Sequence, residues 1–192
     1  MLGGFLGGVA SWTPPMGGNS ADPALLLWVM QMRRNERALT GLDDITAVLD
    51  RALIMRLGLA DAEGPYVVPV HFAYAVRDGR ITVYAHGAPT GRKLAAIAGR
   101  PQCCVEVDHL EGLADSGTGA CGLSAYYESV IGFGTARIVD APDEVRDAIT
   151  RLVGRQAPHM VDTLPETLDV TVIAVDLDSV TGKAHLSAGQ PV

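Results

Sequence analysis

The sequence has few of the residues that mark several common protein classes. Its three cysteines, Cys103, Cys104 and Cys121, are an odd number without C-x-x-C spacing, so neither a disulfide framework nor a zinc site is predicted. Cys103 and Cys104 would point to opposite faces of a strand, which favours a role as small core residues. A reduced, cytoplasmic protein fits this cysteine usage best.

Positive charge is scarce as well, and so are long apolar runs. The chain has a formal net charge of −7 and its basic residues are scattered, so a nucleic-acid-binding surface is not expected. The apolar run at 24–30 is too short to span a bilayer, and no positively charged region precedes it, as it would in a signal peptide. We therefore expect neither nucleic acid nor a membrane as a partner.

The first residues differ in composition from the rest of the chain. Residues 1–31 are rich in glycine and carry a single charged side chain, Asp22, whereas Met32 is followed by the charged segment RRNERAL. A chain of 192 residues, 48% of them hydrophobic, can bury one substantial core but hardly two. We predict a weakly ordered extension at 1–31 and a single domain at 32–192. An additional helix at 25–30 that packs on the domain is the alternative.

Beyond Met32 the hydrophobic pattern is mainly that of strands. Helical spacing and capping signals predict three helices, and alternation with β-branched residues predicts about six strands, with a glycine-rich loop at 109–124. The predicted helices are 42–52, 91–98 and 142–156, and the predicted strands are 53–60, 66–76, 80–86, 102–108, 125–140 and 168–185. Hairpin connections between these strands predict a largely antiparallel barrel with helices outside it.

The segment VYAHGAPTGRKLAAIAGRP, residues 83–101, carries the clearest chemical signal. A strand ends here, and a helix follows with Thr90 as a predicted N-cap and with Arg92 and Lys93 in its first turn. Cations at a helix N-terminus are unfavourable unless an anion binds there. The free N–H groups of the helix and the two side chains therefore predict an anion site.

The combination of motifs is more specific than any one of them. The segments PYVVPVHF, YAHGAP and TGRK resemble the FMN-binding part of the pyridoxamine 5′-phosphate oxidase-like split-barrel superfamily. With CCVEVD, YYESVIGFGTA and SVTGKAH in this order, the sequence resembles the nitroimidazole-resistance (Nim-type) branch of that superfamily, over residues 32–186.

This resemblance implies a mainly β fold with peripheral helices, a split antiparallel β-barrel that binds FMN. It also implies a homodimer with two cofactor sites at the subunit interface. The positions that match the cofactor contacts of the superfamily are Val67, Val68, Pro69 and Val70 at the flavin ring, Gly91, Arg92 and Lys93 at the phosphate, His86 facing the cofactor, and Ser129 from the partner subunit.

The leading hypothesis is an FMN-dependent oxidoreductase that reduces nitro-aromatic or similar small molecules. His86 is then the catalytic residue, which orients the substrate or donates a proton. Three alternatives stay open: a haem-binding or haem-handling protein with His86 or His71 as axial ligand, a non-catalytic flavin-binding module, and a deazaflavin in place of FMN. No two histidines have metal-ligand spacing, so no metal site is expected.

Overall fold

The structure of the protein is a computed structural model, and it describes residues 34–187. The predicted extension, 1–31, lies outside the described residues. The chain divides between Asn35 and Glu36, and the elements below lie in the second unit. The helices are α1 (Leu42–Arg51), α2 (Arg92–Gly99) and α3 (Pro142–Gln156), and the strands are β1 (Ala38–Leu39), β2 (Ile54–Asp61), β3 (Gly64–His71), β4 (Ala73–Arg77), β5 (Arg80–Gly87), β6 (Gln102–Asp115), β7 (Leu123–Ile138) and β8 (Thr171–His185).

The eight strands of the described residues form one antiparallel sheet. Its order is β3-β2-β6-β7-β8-β5-β4, and the short β1 pairs with β8. The three helices agree with the predicted ones to within about two residues. The fold class expected from the sequence, a mainly β protein built as a split antiparallel barrel, is confirmed.

The segment 66–76 is not the single strand that the sequence predicted. β3 pairs with β2, whereas β4 pairs with β5, so only β4 belongs to the expected hairpin. Phe72 lies between them and is fully buried. The inward-facing side chains continue through the break as Val70, Phe72 and Tyr74, and this is why the sequence pattern does not reveal it. Phe72 thus connects β3 and β4, the two edge strands of the sheet, through the covalent backbone, and no ladder of hydrogen bonds pairs them.

Two hydrophobic clusters hold the sheet and the helices together. The barrel interior is the larger one, and α1 contributes Ile45, Val48 and Leu49 to it. The second cluster lies between α3, which contributes Ile149 and Leu152, and the sheet. Within residues 34–187, no helix has the length and apolarity needed to cross a membrane.

About half of the segment 109–124, which the sequence predicted as a glycine-rich loop, belongs to strands β6 and β7. β6 continues to Asp115, and its pairing with β7 extends to Leu123, with a register shift between Leu110 and Gly112. We call residues 108–115 and 123–128 the hairpin arm. Its leucines Leu110, Leu113 and Leu123 are exposed. The prediction of a loop was wrong because strand pairing along the arm depends on the partner strand rather than on local composition.

Candidate functional site

The junction between β5 and α2 is built around Gly91. This residue is the N-cap of α2. Its backbone φ is +135°, an angle that residues other than glycine rarely adopt. The prediction of Thr90 as the cap was therefore wrong. The backbone N–H groups of residues 92 and 93 have no acceptor within residues 34–187. The N-terminus of α2 is open to an anion.

The ammonium group of Lys93 lies against the end of β5. A Cβ added to Gly87 would stand 2.5 Å from Lys93 Nζ, so a larger residue there would displace the ammonium. Lys93 is half-buried, and its side chain has no hydrogen bond or salt bridge to any of the described residues. A cation held beside a free helix N-terminus supplies the donors that a phosphate group requires.

Arg92, in contrast, already has partners. Its Nε donates to Asp61 Oδ2 over 2.7 Å and its Nη2 to Asp61 Oδ1 over 3.2 Å, while Glu63 Oε2 lies 3.4 Å from Nη2. The guanidinium carbon is 4.6 Å from the centroid of the Tyr66 ring, a cation–π distance. The hydrogen bond from Arg92 lowers the pKa of Asp61 below its ordinary value. No sequence motif links Asp61 or Glu63 to Arg92.

β3 presents an open edge beside this junction. It pairs with β2 on one side and ends the strand order, so alternate backbone groups point away from the sheet. Val67 is 63% exposed and Pro69 is also exposed, whereas Val68 and Val70 pack on the barrel core. Pro69 has no N–H to donate, which an edge strand tolerates.

His86 lies next to Gly87 at the end of β5, where it pairs with Val172 of β8. Its side chain is exposed, and the imidazole has no hydrogen bond or ion pair within the part of the chain that the structure describes. Through Gly87 and Lys93, His86 belongs to the same junction as α2. His71, on β3, is also exposed and without such partners.

Ser129 lies elsewhere in the fold. It is on β7 and pairs with Lys183 of β8, eleven positions along β8 from Val172, the partner of His86. At about 3.3 Å per residue, this separation is roughly 36 Å along the strand. Within one subunit the structure therefore does not bring Ser129 to the junction that holds His86, Gly91, Arg92 and Lys93.

Several cavities open in the described part of the chain. One of about 420 Å³ lies beside α2, lined by Asp61, Arg92, Arg100 and small residues. A larger one of about 690 Å³ lies at the start of α3, but it contains none of the predicted residues. Its arginine, Arg146, donates to two backbone carbonyls. The charges around α2, rather than cavity size, indicate the candidate site.

The residues at the junction fit a phosphate-bearing, planar cofactor. The unpaired ammonium of Lys93 and the free amides of α2 suit a phosphate, and the open edge of β3 offers backbone groups and an exposed valine to a flat ring. The hydrogen-bond donors of the junction thus suit the phosphate of FMN, the cofactor that the sequence resemblance implies.

Solved structures share this fold at low sequence identity. A flavocytochrome from Azotobacter vinelandii is 20% identical, with a TM-score of 0.70 over 84% of this chain and 75% of that chain. An FAD- and haem-binding protein from Mycobacterium smegmatis is 23% identical, with a TM-score of 0.66 over 81% and 76% of the two chains. A candidate 5-nitroimidazole antibiotic resistance protein from Bacteroides thetaiotaomicron is 23% identical, with a TM-score of 0.60 over 76% and 85%. No curated protein matches the chain significantly.

A family profile covers most of the domain. The profile described as pyridoxamine 5′-phosphate oxidase matches residues 42–184, a range that extends from α1 almost to the end of β8 and includes β3, β5 and α2. The matched range also includes Gly91, Arg92 and Lys93 at the start of α2. The chain belongs to the pyridoxamine 5′-phosphate oxidase family.

Proposed function

We propose that this protein is an FMN-dependent oxidoreductase that reduces nitro-aromatic or similar small molecules. The observation that carries the proposal is the half-buried ammonium of Lys93, which has no partner among the described residues and lies beside the open N-terminus of α2. A phosphate ester would provide the missing acceptor for the ammonium and for the two free amides.

The comparisons support the class of cofactor and of reaction. The family takes its name from an oxidase, and two structural neighbours are named as a flavocytochrome and an FAD- and haem-binding protein. The name of the Bacteroides neighbour refers to nitroimidazole antibiotics, which favours nitro-aromatic compounds as the substrate class.

The residues of this chain would bind and orient the flavin and would protonate the substrate. A bound flavin supplies the electron transfer. Lys93 and Arg92 bind the phosphate, and the backbone of 67–70 orients the edge of the ring. His86, exposed at the end of β5, holds a proton for the substrate as it accepts electrons.

We further propose a homodimer in which Ser129 of one subunit completes the site of the other. The separation of Ser129 and His86 along β8 means that one subunit cannot supply both to one flavin. The outward face of β7 also exposes Ile131 and Phe133, which suits an interface. A two-fold axis would place each β7 beside the partner.

Titration with FMN tests the cofactor site. Lys93→Ala should weaken FMN binding by about 10- to 100-fold, because a charge-assisted hydrogen bond contributes roughly 1.5–3 kcal/mol. Lys93→Arg should retain part of the affinity, since it keeps the charge. Arg80→Ala, which removes an exposed cation at the other end of β5, is the matched control and should bind FMN normally. Equal affinity in Lys93→Ala and Arg80→Ala would contradict the proposal.

A haem protein is the second candidate, because the imidazoles of His71 and His86 have no partners within residues 34–187. The absorption spectrum of the purified protein distinguishes the two cofactors. A Soret band that disappears in His86→Ala would favour haem, whereas flavin bands that persist in His86→Ala, with loss of turnover, would favour the oxidoreductase.

A further inference from the structure

The two adjacent cations at the start of α2 are in different states. Lys93 is without a partner among the described residues, whereas Arg92 is bound by Asp61 at the end of β2 and by Glu63 in the β2–β3 turn. A ligand phosphate can therefore bind Lys93 directly, but it must compete with Asp61 and Glu63 for Arg92. This asymmetry affects which phosphates the site prefers.

Asp61 is well placed to hold Arg92. Both of its oxygens accept from the guanidinium, and Oδ1 also accepts from the backbone N–H of Glu63 over 2.9 Å, which fixes the carboxylate at the end of β2. The Asp61 side chain is 18% exposed, whereas Glu63 is 79% exposed. Tyr66 supports the guanidinium from its face.

We propose that Asp61, assisted by Glu63, competes with the ligand phosphate for Arg92 and so sets the charge selectivity of the cofactor site. The inference rests on the proposed function and extends it to ligand choice. A terminal phosphate monoester carries nearly two negative charges at neutral pH, and it is repelled by both carboxylates. A diphosphate diester, as in FAD, carries one charge on each phosphate, and it is repelled less at any one position.

The competition weakens ligand binding without preventing it. The Arg92 side chain is 45% exposed, and ion pairs at such positions contribute little net stability. A phosphate that offers Arg92 two oxygens can replace Asp61 at small cost. Asp61 then becomes an unpaired anion beside the ligand, and the repulsion grows with the charge of the ligand.

The test is a set of titrations with riboflavin, FMN and FAD. Asp61→Asn should raise the affinity for FMN about five- to tenfold, raise that for FAD less, and leave that for riboflavin, which has no phosphate, unchanged. Glu63→Gln should act in the same direction with a smaller effect, and it should leave folding unchanged because the Glu63 side chain is exposed. Asp78→Asn is the matched control, because Asp78 lies in the β4–β5 turn, away from the α2 end of β5.

The outcomes separate the two proposals. If the wild-type protein binds FMN but neither Asp61→Asn nor Glu63→Gln binds it more tightly, the competition is wrong and the FMN site stands. If both variants bind FMN more weakly, the carboxylates position Arg92 instead, and the inference is overturned. If the wild-type protein binds no flavin, the proposed function is overturned and the inference with it.

Discussion

Glu128 is a charged side chain that is almost completely buried. It is 1% exposed, on β7, and Arg51 at the end of α1 donates Nε to one of its oxygens and Nη2 to the other, each over 2.5 Å. The Arg51 side chain is 39% exposed. The carboxylate is therefore shielded from water whereas the guanidinium is not. The carboxylate thus needs its partner more than the guanidinium does, because only the carboxylate would be left buried and unpaired.

We expect Arg51→Met to destabilise the fold more than Glu128→Gln. The first change leaves a buried carboxylate unpaired, at a cost of about 3–5 kcal/mol. The second lets Arg51 turn to solvent, at about 1–2 kcal/mol. Urea unfolding measures both free energies, and the double variant should be more stable than Arg51→Met alone. Equal costs for the two single changes would contradict this account.

At the scale of elements, Arg137 of β7 lies at the centre of a hydrogen-bond network that joins β7 to α3, β8 and β5. It donates to both oxygens of Glu144 in α3, over 2.6 and 3.0 Å, and to Asp176 of β8 over 2.9 Å. Tyr84 of β5 donates to Glu144 over 3.1 Å. This network fixes the start of α3 on the sheet.

The network predicts a pH dependence of stability. The hydrogen bond from Arg137 is the main cause that lowers the pKa of Glu144 below its ordinary 4.5. A lowered carboxyl pKa stabilises the fold above the ordinary value, and this stabilisation is lost as the pH falls through the folded pKa. Arg137→Met should cost about 1–2 kcal/mol at pH 7, a range reduced because the side chain is partly exposed, and less at pH 3.

Thermal or urea unfolding of Arg137→Met at the two pH values measures this difference. Arg80→Met is the control, since Arg80 is 73% exposed and stands 3.8 Å from Asp178. A cost for Arg137→Met that is the same at pH 7 and pH 3 would show that Glu144 does not gain from the contact.

The elements themselves were largely predictable, and their pairing was not. Pro142 with the acidic residues that follow it marks the start of α3, because these signals act within one turn. The change of partner at Phe72 and the extension of β6 into a glycine-rich segment depend on distant strands, so the local pattern does not contain them. The same holds for the pair of Arg92 and Asp61, which are separated by 31 positions. Sequence motifs thus indicated Arg92 and Lys93 at the start of α2, but not the carboxylate that Arg92 already binds.

At the scale of the molecule, the outward face of β7 is the feature without an explanation inside one subunit. Phe133 is 46% exposed and Ile131 is 40% exposed, and they alternate with residues of the barrel interior. The leucines of the hairpin arm add to this apolar surface. Such a surface is typical of a protein interface.

We expect Phe133→Asp to shift the protein from dimer to monomer in sedimentation velocity, because a charge in an apolar interface lacks a partner. FMN affinity should fall with it, since Ser129 would no longer reach the site of the other subunit. Met160→Asp changes an equally exposed apolar residue in the segment Pro158–Thr163, and it should leave the dimer intact. A wild-type protein that sediments as a monomer at all concentrations would contradict the homodimer.

β8, the last of the described strands along the chain, stands between β7 and β5 in the sheet. During synthesis on the ribosome, the edges of β7 and β5 that β8 covers therefore stay unpaired until β8 has been made. Open edges pair readily with strands of other chains, and incomplete chains are prone to aggregate for this reason. Closure of the barrel thus depends on β8, and before β8 is available the groups β3-β2-β6-β7 and β5-β4 share no ladder of backbone hydrogen bonds.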